Sequence, residues 1–184
     1  PKEVWMTEGL STMIKNGAGF YNYTIPYESL ENIIETSDEL CRYVISHLAL
    51  NVKKVFLYSM HCHSYFPEDA LIQFRALLTE EGSLHPSGTA YSNMAWHLED
   101  TNFVKGLTLK ESIYAYIFEG KDKAIAVISP KKDHEEYKFS FEENIKINDL
   151  FGNPLAKGYR LEATLVYIVI EGNAKKLINL IKNN

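Results

Sequence analysis

Glu8 is the residue of this sequence whose type and position best suit it to chemistry. It comes at the end of the short apolar segment EVWMTEG, residues 3–9, and Gly9 follows it directly. This segment predicts a buried strand followed by a tight turn. At the carboxyl end of a strand in a parallel α/β fold, a carboxylate can act as a nucleophile or transfer a proton. Glu8 can equally be an ordinary strand-end acid that contacts solvent or a lysine.

A second group of polar side chains lies in the segment HCHSY, residues 61–65. His61 and His63 are two residues apart, so on an extended chain both imidazoles lie on one face, a spacing that occurs in metal sites. Glu68 or Asp69 could supply a third ligand. No other cluster of histidine and cysteine accompanies them, so the sequence predicts no metal site. Binding of a polar ligand and a partly exposed polar turn both remain open.

Four aromatic residues lie on a long segment rich in glycine, asparagine and tyrosine, residues 10–28, which we interpret as a loop. They are Phe20, Tyr21, Tyr23 and Tyr27. Aromatic faces stack well on the apolar C–H faces of sugar rings. These rings can equally serve only to hold the loop in place.

The composition predicts a globular protein with a buried core. The chain has 184 residues, of which 46% are hydrophobic and 23% charged, and a formal net charge of −5. This negative charge argues against a nucleic-acid partner. We expect no membrane span, and the start PKEVWMTEG lacks the features of a signal peptide. Since it begins with proline, we expect an excised or processed piece, and the compartment stays open.

The elements that must position these residues form a βαβ unit in the first half of the chain. One helix, or two helices that meet at Thr36–Ser37, is expected between residues 29 and 50, and a second apolar strand at Val55–Tyr58. Strand, helix and strand in this order force a parallel pair with a right-handed crossover. Further helices are predicted over residues 68–80 and 86–99. Both cysteines are expected to be free, partly buried thiols. Trp5 is expected to lie in the core, and Trp96 to pack against the second domain.

Near residue 101 the pattern changes to alternating apolar runs separated by turn signals. They are SIYAYIFE, AIAVISP, YKFSFEE, IKINDLF and TLVYIVIEG, and a helix, NAKKLINLIKNN, follows. The pattern predicts antiparallel strands in a small β-sandwich. We therefore expect two domains, residues 1–100 and 101–184.

Several segments resemble, in the same order, the end of the retaining glycoside hydrolases that have a (β/α)8 barrel. WMTEG resembles their seventh strand, residues 42–60 their seventh helix and eighth strand, and residues 81–98 their eighth helix. YAYIFEGKDKAIAVI and DLFGNPL resemble the β-sandwich that follows the barrel in several of these families. The expected fold class is α/β plus all-β, with the seventh and eighth strand–helix units followed by a small antiparallel β-sandwich.

The resemblance implies that Glu8 is the glutamate nucleophile and that the substrate is a carbohydrate. It implies sugar contacts for Tyr21, Tyr23, His61, His63 and Tyr65, and no cofactor or metal. The acid/base, at the end of the fourth of the eight barrel strands, would lie outside these residues. The partner would then be the remaining N-terminal barrel segment or another copy of the chain.

Two other readings stay open at this point. The chain can be a non-catalytic piece whose β-sandwich serves packing or carbohydrate binding. It can also be an unrelated α/β domain, in which Glu8 is incidental.

Overall fold

The computed structural model describes residues 3–9, 30–57, 77–78, 82–131, 133–141, 145–156 and 158–183. By its contacts the chain divides into two compact units, Pro1–Ser92 and Asn93–Asn184. None of the described helices combines the length and apolar character that a membrane crossing requires.

The first unit contains the βαβ arrangement that the sequence predicts. Strand β1, Trp5–Gly9, pairs in parallel with strand β2, Lys54–Leu57. Helix α1, Leu30–Ala49, connects them as a single helix. The predicted helix over residues 68–80 falls almost entirely outside the described residues.

Helix α1 forms because its apolar residues recur at helical spacing. Leu40, Cys41, Val44 and Ile45 are buried along one side of it. The helix ends where Asn51 adopts a left-handed backbone with φ 63°, a conformation that asparagine tolerates better than most residues. The expected buried thiol of Cys41 is therefore found, and Cys62 lies outside the described residues.

Helix α2, Pro86–Leu98, begins with proline, whose fixed φ suits the first helical position. Gly88 lets this helix approach residue 77 closely, since a Cβ atom there would lie 2.3 Å from the Leu77 carbonyl oxygen. The expected packing of Trp96 is wrong, because its side chain is 74% exposed.

The second unit is built on one five-stranded antiparallel sheet. Its strands lie in the order β3-β4-β5-β7-β6. Their bounds are β3 Asn102–Lys110, β4 Ile113–Glu119, β5 Lys123–Pro130, β6 Lys146–Asn148 and β7 Val166–Glu171. Helix α3, Ala174–Lys182, follows the last strand.

The core of this unit lies between one face of the sheet and helix α3. Alternate residues of the central strands, among them Ile117 and Ile168, are buried there with Leu177 of the helix. The helix starts on a capping residue, because the Asn173 side chain accepts a hydrogen bond from Lys176 N at 3.0 Å. Glu119 Oε2 accepts a second from Ala174 N at 2.6 Å, which ties the helix to β4.

The structure differs from the sequence prediction at two strands of this unit. Strand β3 was not predicted, because Lys105 and Gly106 interrupt its alternation. The run YKFSFEE was predicted as a strand, but its described part has only an isolated bridge between Lys138 and Arg160. The described residues therefore contain the parallel pair of β1 and β2, one five-stranded antiparallel sheet and three helices.

Candidate functional site

Glu8 is the second-last residue of strand β1, and Gly9 ends the strand. Because β1 and β2 are parallel, their carboxyl ends face the same edge of the sheet. In parallel α/β folds, this is the edge at which sites are built. The predicted position of Glu8 at a strand end is therefore found.

The pairing of β1 with β2 becomes irregular where Glu8 lies. Met6 pairs with Val55 and Gly9 pairs with Leu57, so three steps along β1 match two steps along β2. An extra residue of this kind bends a strand and re-aims its side chains, and such irregularities are common at barrel rims and next to active sites. The local geometry thus sets the Thr7–Gly9 backbone apart from a regular strand.

The opposite end of this strand pair is fixed by contacts with helix α1. Lys53 N donates a hydrogen bond to Val4 O at 2.9 Å, and Val52 N donates one to His47 O at 3.0 Å. These bonds tie the end of α1 to the start of β1. They hold the strand in register up to the point where the irregularity begins.

Trp5 is not the core residue that the sequence analysis expects. Its side chain is 48% exposed, with Lys54 Nζ 4.2 Å from the ring centroid and Phe56 beside it at 6.4 Å. Its indole N–H donates to Glu3 Oε2 at 3.1 Å. The reason is that a sheet of two strands offers no cover for this face among the described residues.

The five residues with a predicted role in substrate binding lie outside the described residues. They are Tyr21, Tyr23, His61, His63 and Tyr65. Their roles stay predictions, and the structure neither brings them together nor separates them. Among the residues that the structure does describe, no group of three or more His, Cys, Asp or Glu could hold a metal ion.

The segment DLFGNPL, which carries part of the resemblance, has a structural explanation. Asp149 Oδ1 accepts hydrogen bonds from Phe151 N at 2.9 Å and Asn153 N at 2.8 Å. Gly152 has φ 93°, a conformation that favours glycine. The Asn93 amide of α2 donates to Leu150 O at 3.1 Å. This segment is therefore a turn held by its own hydrogen bonds, and it also binds Asn93 at the start of the second unit.

His97 is a partly buried titratable group to which the sequence assigns no role. Its ring stacks on Tyr167, with centroids 5.0 Å apart and planes at 20°. Burial, and secondarily the charge of Lys123, lower the pKa of His97. Lys123 Nζ also donates to His97 O at 3.0 Å. A neutral imidazole therefore fills the contact between α2 and the sheet.

Comparison with solved structures finds the same fold in glycoside hydrolases. A family 39 glycoside hydrolase from Bacteroides cellulosilyticus superposes with a TM-score of 0.64 at 17% identity, over 92% of this chain and 34% of its own. A family 30 endoxylanase from Clostridium papyrosolvens has a TM-score of 0.55 at 14% identity, over 93% of this chain and 42% of its own. A family 30 subfamily 8 xylanase from Clostridium acetobutylicum has a TM-score of 0.56 at 12% identity, over 93% of this chain and 43% of its own.

These similarities are evidence for a shared fold alone, because the sequence identities are only 12% to 17%. The chain spans between 34% and 43% of the length of these structures, so it corresponds to part of a glycoside hydrolase fold. No protein-family model and no curated protein sequence matches the chain.

Proposed function

We propose that this chain is the C-terminal part of a retaining glycoside hydrolase, in which Glu8 is the nucleophile. The observation that carries the proposal is the superposition on a family 39 glycoside hydrolase over 92% of this chain and only 34% of the other. Similar matches to two family 30 xylanases support it. In this proposal residues 1–100 are the end of a (β/α)8 barrel and residues 101–184 belong to a β-sandwich.

The proposed chemistry needs two carboxyl groups about 5–5.5 Å apart. The Glu8 carboxylate attacks the anomeric carbon and forms a covalent glycosyl–enzyme bond. The leaving oxygen takes a proton from the second carboxyl group as its bond to that carbon breaks. The second group then removes a proton from water, which attacks the same carbon and releases Glu8. The acid/base belongs to a part of the protein outside these 184 residues.

The backbone around Glu8 supports its assignment as the nucleophile. It lies at the carboxyl end of a strand in a parallel pair, and the pairing is irregular at the same place. In (β/α)8 barrels, catalytic residues come from the carboxyl ends of strands. A nucleophile must be held in a fixed position relative to the reacting carbon, which a paired strand provides better than a loop.

The exposure of the first strand pair supports the proposal that it belongs to a larger sheet. Trp5 and Phe56 are each 48% exposed, and Val4 is 60% exposed. A two-stranded parallel sheet is poorly stable in water, because its edges and faces lack partners. Further barrel strands would supply both. The proposed partner is therefore the N-terminal barrel segment of the same protein, or of another copy.

The proposed substrate is a glycan, with Tyr21, Tyr23, His61, His63 and Tyr65 at the sugar subsites. Aromatic rings would stack on sugar faces and the histidines would hydrogen-bond sugar hydroxyls. Two of the structural neighbours are named as xylanases, so xylan and xylo-oligosaccharides are the first substrates to test.

The kinetic test measures kcat for variants of the full-length protein that carries this chain, one of which has Glu8 replaced. In Glu8→Gln, the amide is isosteric but a far weaker nucleophile, so we expect kcat on aryl xylosides or other aryl glycosides to fall at least about 10⁴-fold. Glu3→Gln is the matched control, since Glu3 is an acid at the other end of the same segment and its amide oxygen can still accept from Trp5. Equal activity of the two variants would refute the assignment.

A further inference from the structure

The second unit contains a cleft of about 370 Å³, and the proposed nucleophile belongs to the first unit. Three segments line it: the end of β3 at residues 108–110, residues 136–138, and the end of α3 at residues 181–182. Three lysines, Lys110, Lys138 and Lys182, belong to its lining, and we call it the lysine cleft. Its volume is within the range of small-molecule sites.

The charge of the lysine cleft is opposite in sign to that of the whole chain. Against its three lysines, the lining holds one acid, Glu136, and that acid forms an ion pair with Arg160 at 3.1 Å. The chain as a whole has a formal net charge of −5. A concave surface with an excess of one charge concentrates ligands of the other sign. The occupant that complements this cleft is therefore an anion.

Two of the three lysines, Lys110 and Lys182, differ in how firmly they are held. Lys110 Nζ forms an ion pair with Glu135 at 3.3 Å and donates to Glu136 O at 3.1 Å. It also lies 5.9 Å from the Tyr137 ring centroid. Lys182, in the last turn of α3, has no side-chain ion pair or hydrogen bond with any residue that the structure describes. Lys110 thus shapes the wall, while Lys182 is available to a ligand.

The remaining lining residues fit a ring with apolar C–H faces and hydroxyl groups. Leu109, Tyr137 and Ile181 provide apolar surface, and Ile181 and Tyr137 are themselves buried. Thr108 also lines the cleft and carries a hydroxyl group. A bare inorganic ion would use the lysines and leave this apolar surface uncovered. A sugar-sized molecule with one anionic group would use both.

We propose that the lysine cleft binds an anionic sugar, meaning a sugar ring that bears a carboxylate or a phosphate. The anionic part follows from the charges of the cleft alone. The sugar part rests on the proposed glycoside hydrolase function, because that function brings the protein into contact with carbohydrates. The cleft is a second binding site formed by residues of the second unit, whereas the residues proposed to contact the sugar at Glu8 belong to the first.

Isothermal titration calorimetry on the folded full chain tests this site. The probes are glucuronic acid and glucose 6-phosphate, which distinguish the two sources of charge, with neutral glucose and inorganic phosphate as comparisons. We expect at least one of the two anionic sugars to bind, with an affinity that falls as salt rises. Binding of neutral glucose or of inorganic phosphate as tight as that of the anionic sugars would overturn the proposal.

Paired variants separate the cleft from general surface charge. In Lys138→Gln/Lys182→Gln we expect binding to weaken about tenfold, since a charge-assisted contact is lost. The matched control is Lys121→Gln/Lys175→Gln, which removes the same charge from exposed lysines outside the cleft. Circular dichroism confirms that both remain folded. Equal weakening in the two variants, or no weakening in the first, would refute the site.

The Glu8→Gln variant separates this proposal from the proposed function. Binding that persists in Glu8→Gln, alongside the loss of glycosidase activity, supports both. An anionic sugar that binds to a protein without any glycosidase activity supports the cleft and contradicts the function. Activity without binding of either anionic sugar contradicts the cleft alone.

Discussion

The two units of the chain use similar apolar residues but bury them to very different extents. In the second unit, Ile117 and Ile168 are inaccessible to solvent, because five strands and a helix cover them. In the first unit, Trp5 and Phe56 are about half exposed on a sheet of two strands. Burial on a sheet therefore depends here on how many strands share it: Trp5 and Phe56 stay half exposed on the strand pair, although helix α1 of the same unit has a buried side.

This difference bears on function, because the proposed nucleophile lies on the strand pair, which is the less well covered sheet among the described residues. A site that needs a rigidly held carboxylate is poorly served by an uncovered strand pair. The second unit, in contrast, has the cover that keeps a binding cleft in shape. The comparison therefore predicts an inactive first unit in isolation and an independently stable second unit.

The largest expected effect comes from separating the two units. Residues 93–184 expressed alone should unfold in one cooperative thermal transition, since their core is closed by α3. Residues 1–92 alone should show no such transition. Differential scanning calorimetry of the two pieces measures this directly. A cooperative transition in residues 1–92, or none in residues 93–184, would contradict the expected difference in stability between the two units.

The next effect contrasts single side chains in the two units. Ile168→Ala should lower the free energy of unfolding of its unit by about 2–5 kcal/mol, because it leaves a cavity in a closed core. Phe56→Ala should cost only about 1 kcal/mol, since half of that ring is already in solvent. Urea denaturation of the full chain, followed by probes in each unit, checks both. Equal costs would mean that the exposed strand pair is better packed than its exposure indicates.

A smaller effect is the dependence of stability on pH through His97. Its pKa is lowered in the folded protein, so the unfolded chain binds the proton more tightly. The contribution of His97 to the free energy of unfolding is therefore complete at pH values above its unfolded pKa of about 6.5. It declines as the pH falls from there towards the pKa of the folded protein.

Variants at two histidines of the second unit measure this contribution. His97→Phe should keep the stacking on Tyr167 and flatten the dependence of stability on pH. His134→Gln is the matched control, because His134 lies away from the contact between α2 and the sheet. Identical pH profiles for His97→Phe and the unchanged protein would contradict the account.

The smallest effect is expected at the surface. Arg160 and Glu136 form an ion pair at 3.1 Å, but their side chains are mostly exposed. Arg160→Gln should therefore change the free energy of unfolding by less than about 1 kcal/mol, and less still at high salt. Thermal denaturation at two salt concentrations measures this. A larger loss would mean that the pair also supports the wall of the lysine cleft.

Much of the fold could be predicted from the sequence, because local patterns specify it. The alternation in residues 113–119 and 123–130 predicted strands, and the apolar spacing in residues 40–45 predicted a helix. Strand β3 was missed, since Gly106 and Lys105 break its pattern and only its pairing with β4 makes it a strand. The burial expected for Trp5 failed because burial depends on neighbours that a local pattern does not contain.

The two candidate sites also differ in how far the sequence could predict them. The strand-end position of Glu8 could be predicted from a local pattern, and the backbone agrees with it, whereas its role as nucleophile was implied by the resemblance. The lysine cleft could not be predicted, since its three lysines come from segments far apart in the sequence and meet only through the fold. The polar and aromatic residues proposed to contact sugar at Glu8 stay predictions.

The central claim, that Glu8 forms a covalent bond with the sugar, can be tested by trapping the intermediate. The full-length protein is incubated with mechanism-based fluorosugars, including a 2-fluoroxyloside, digested, and mapped by mass spectrometry. The account predicts a glycosyl label on the peptide that contains Glu8, and no label in Glu8→Gln. Turnover of an aryl glycoside with the label on another residue, or a folded protein with neither turnover nor label, would contradict it.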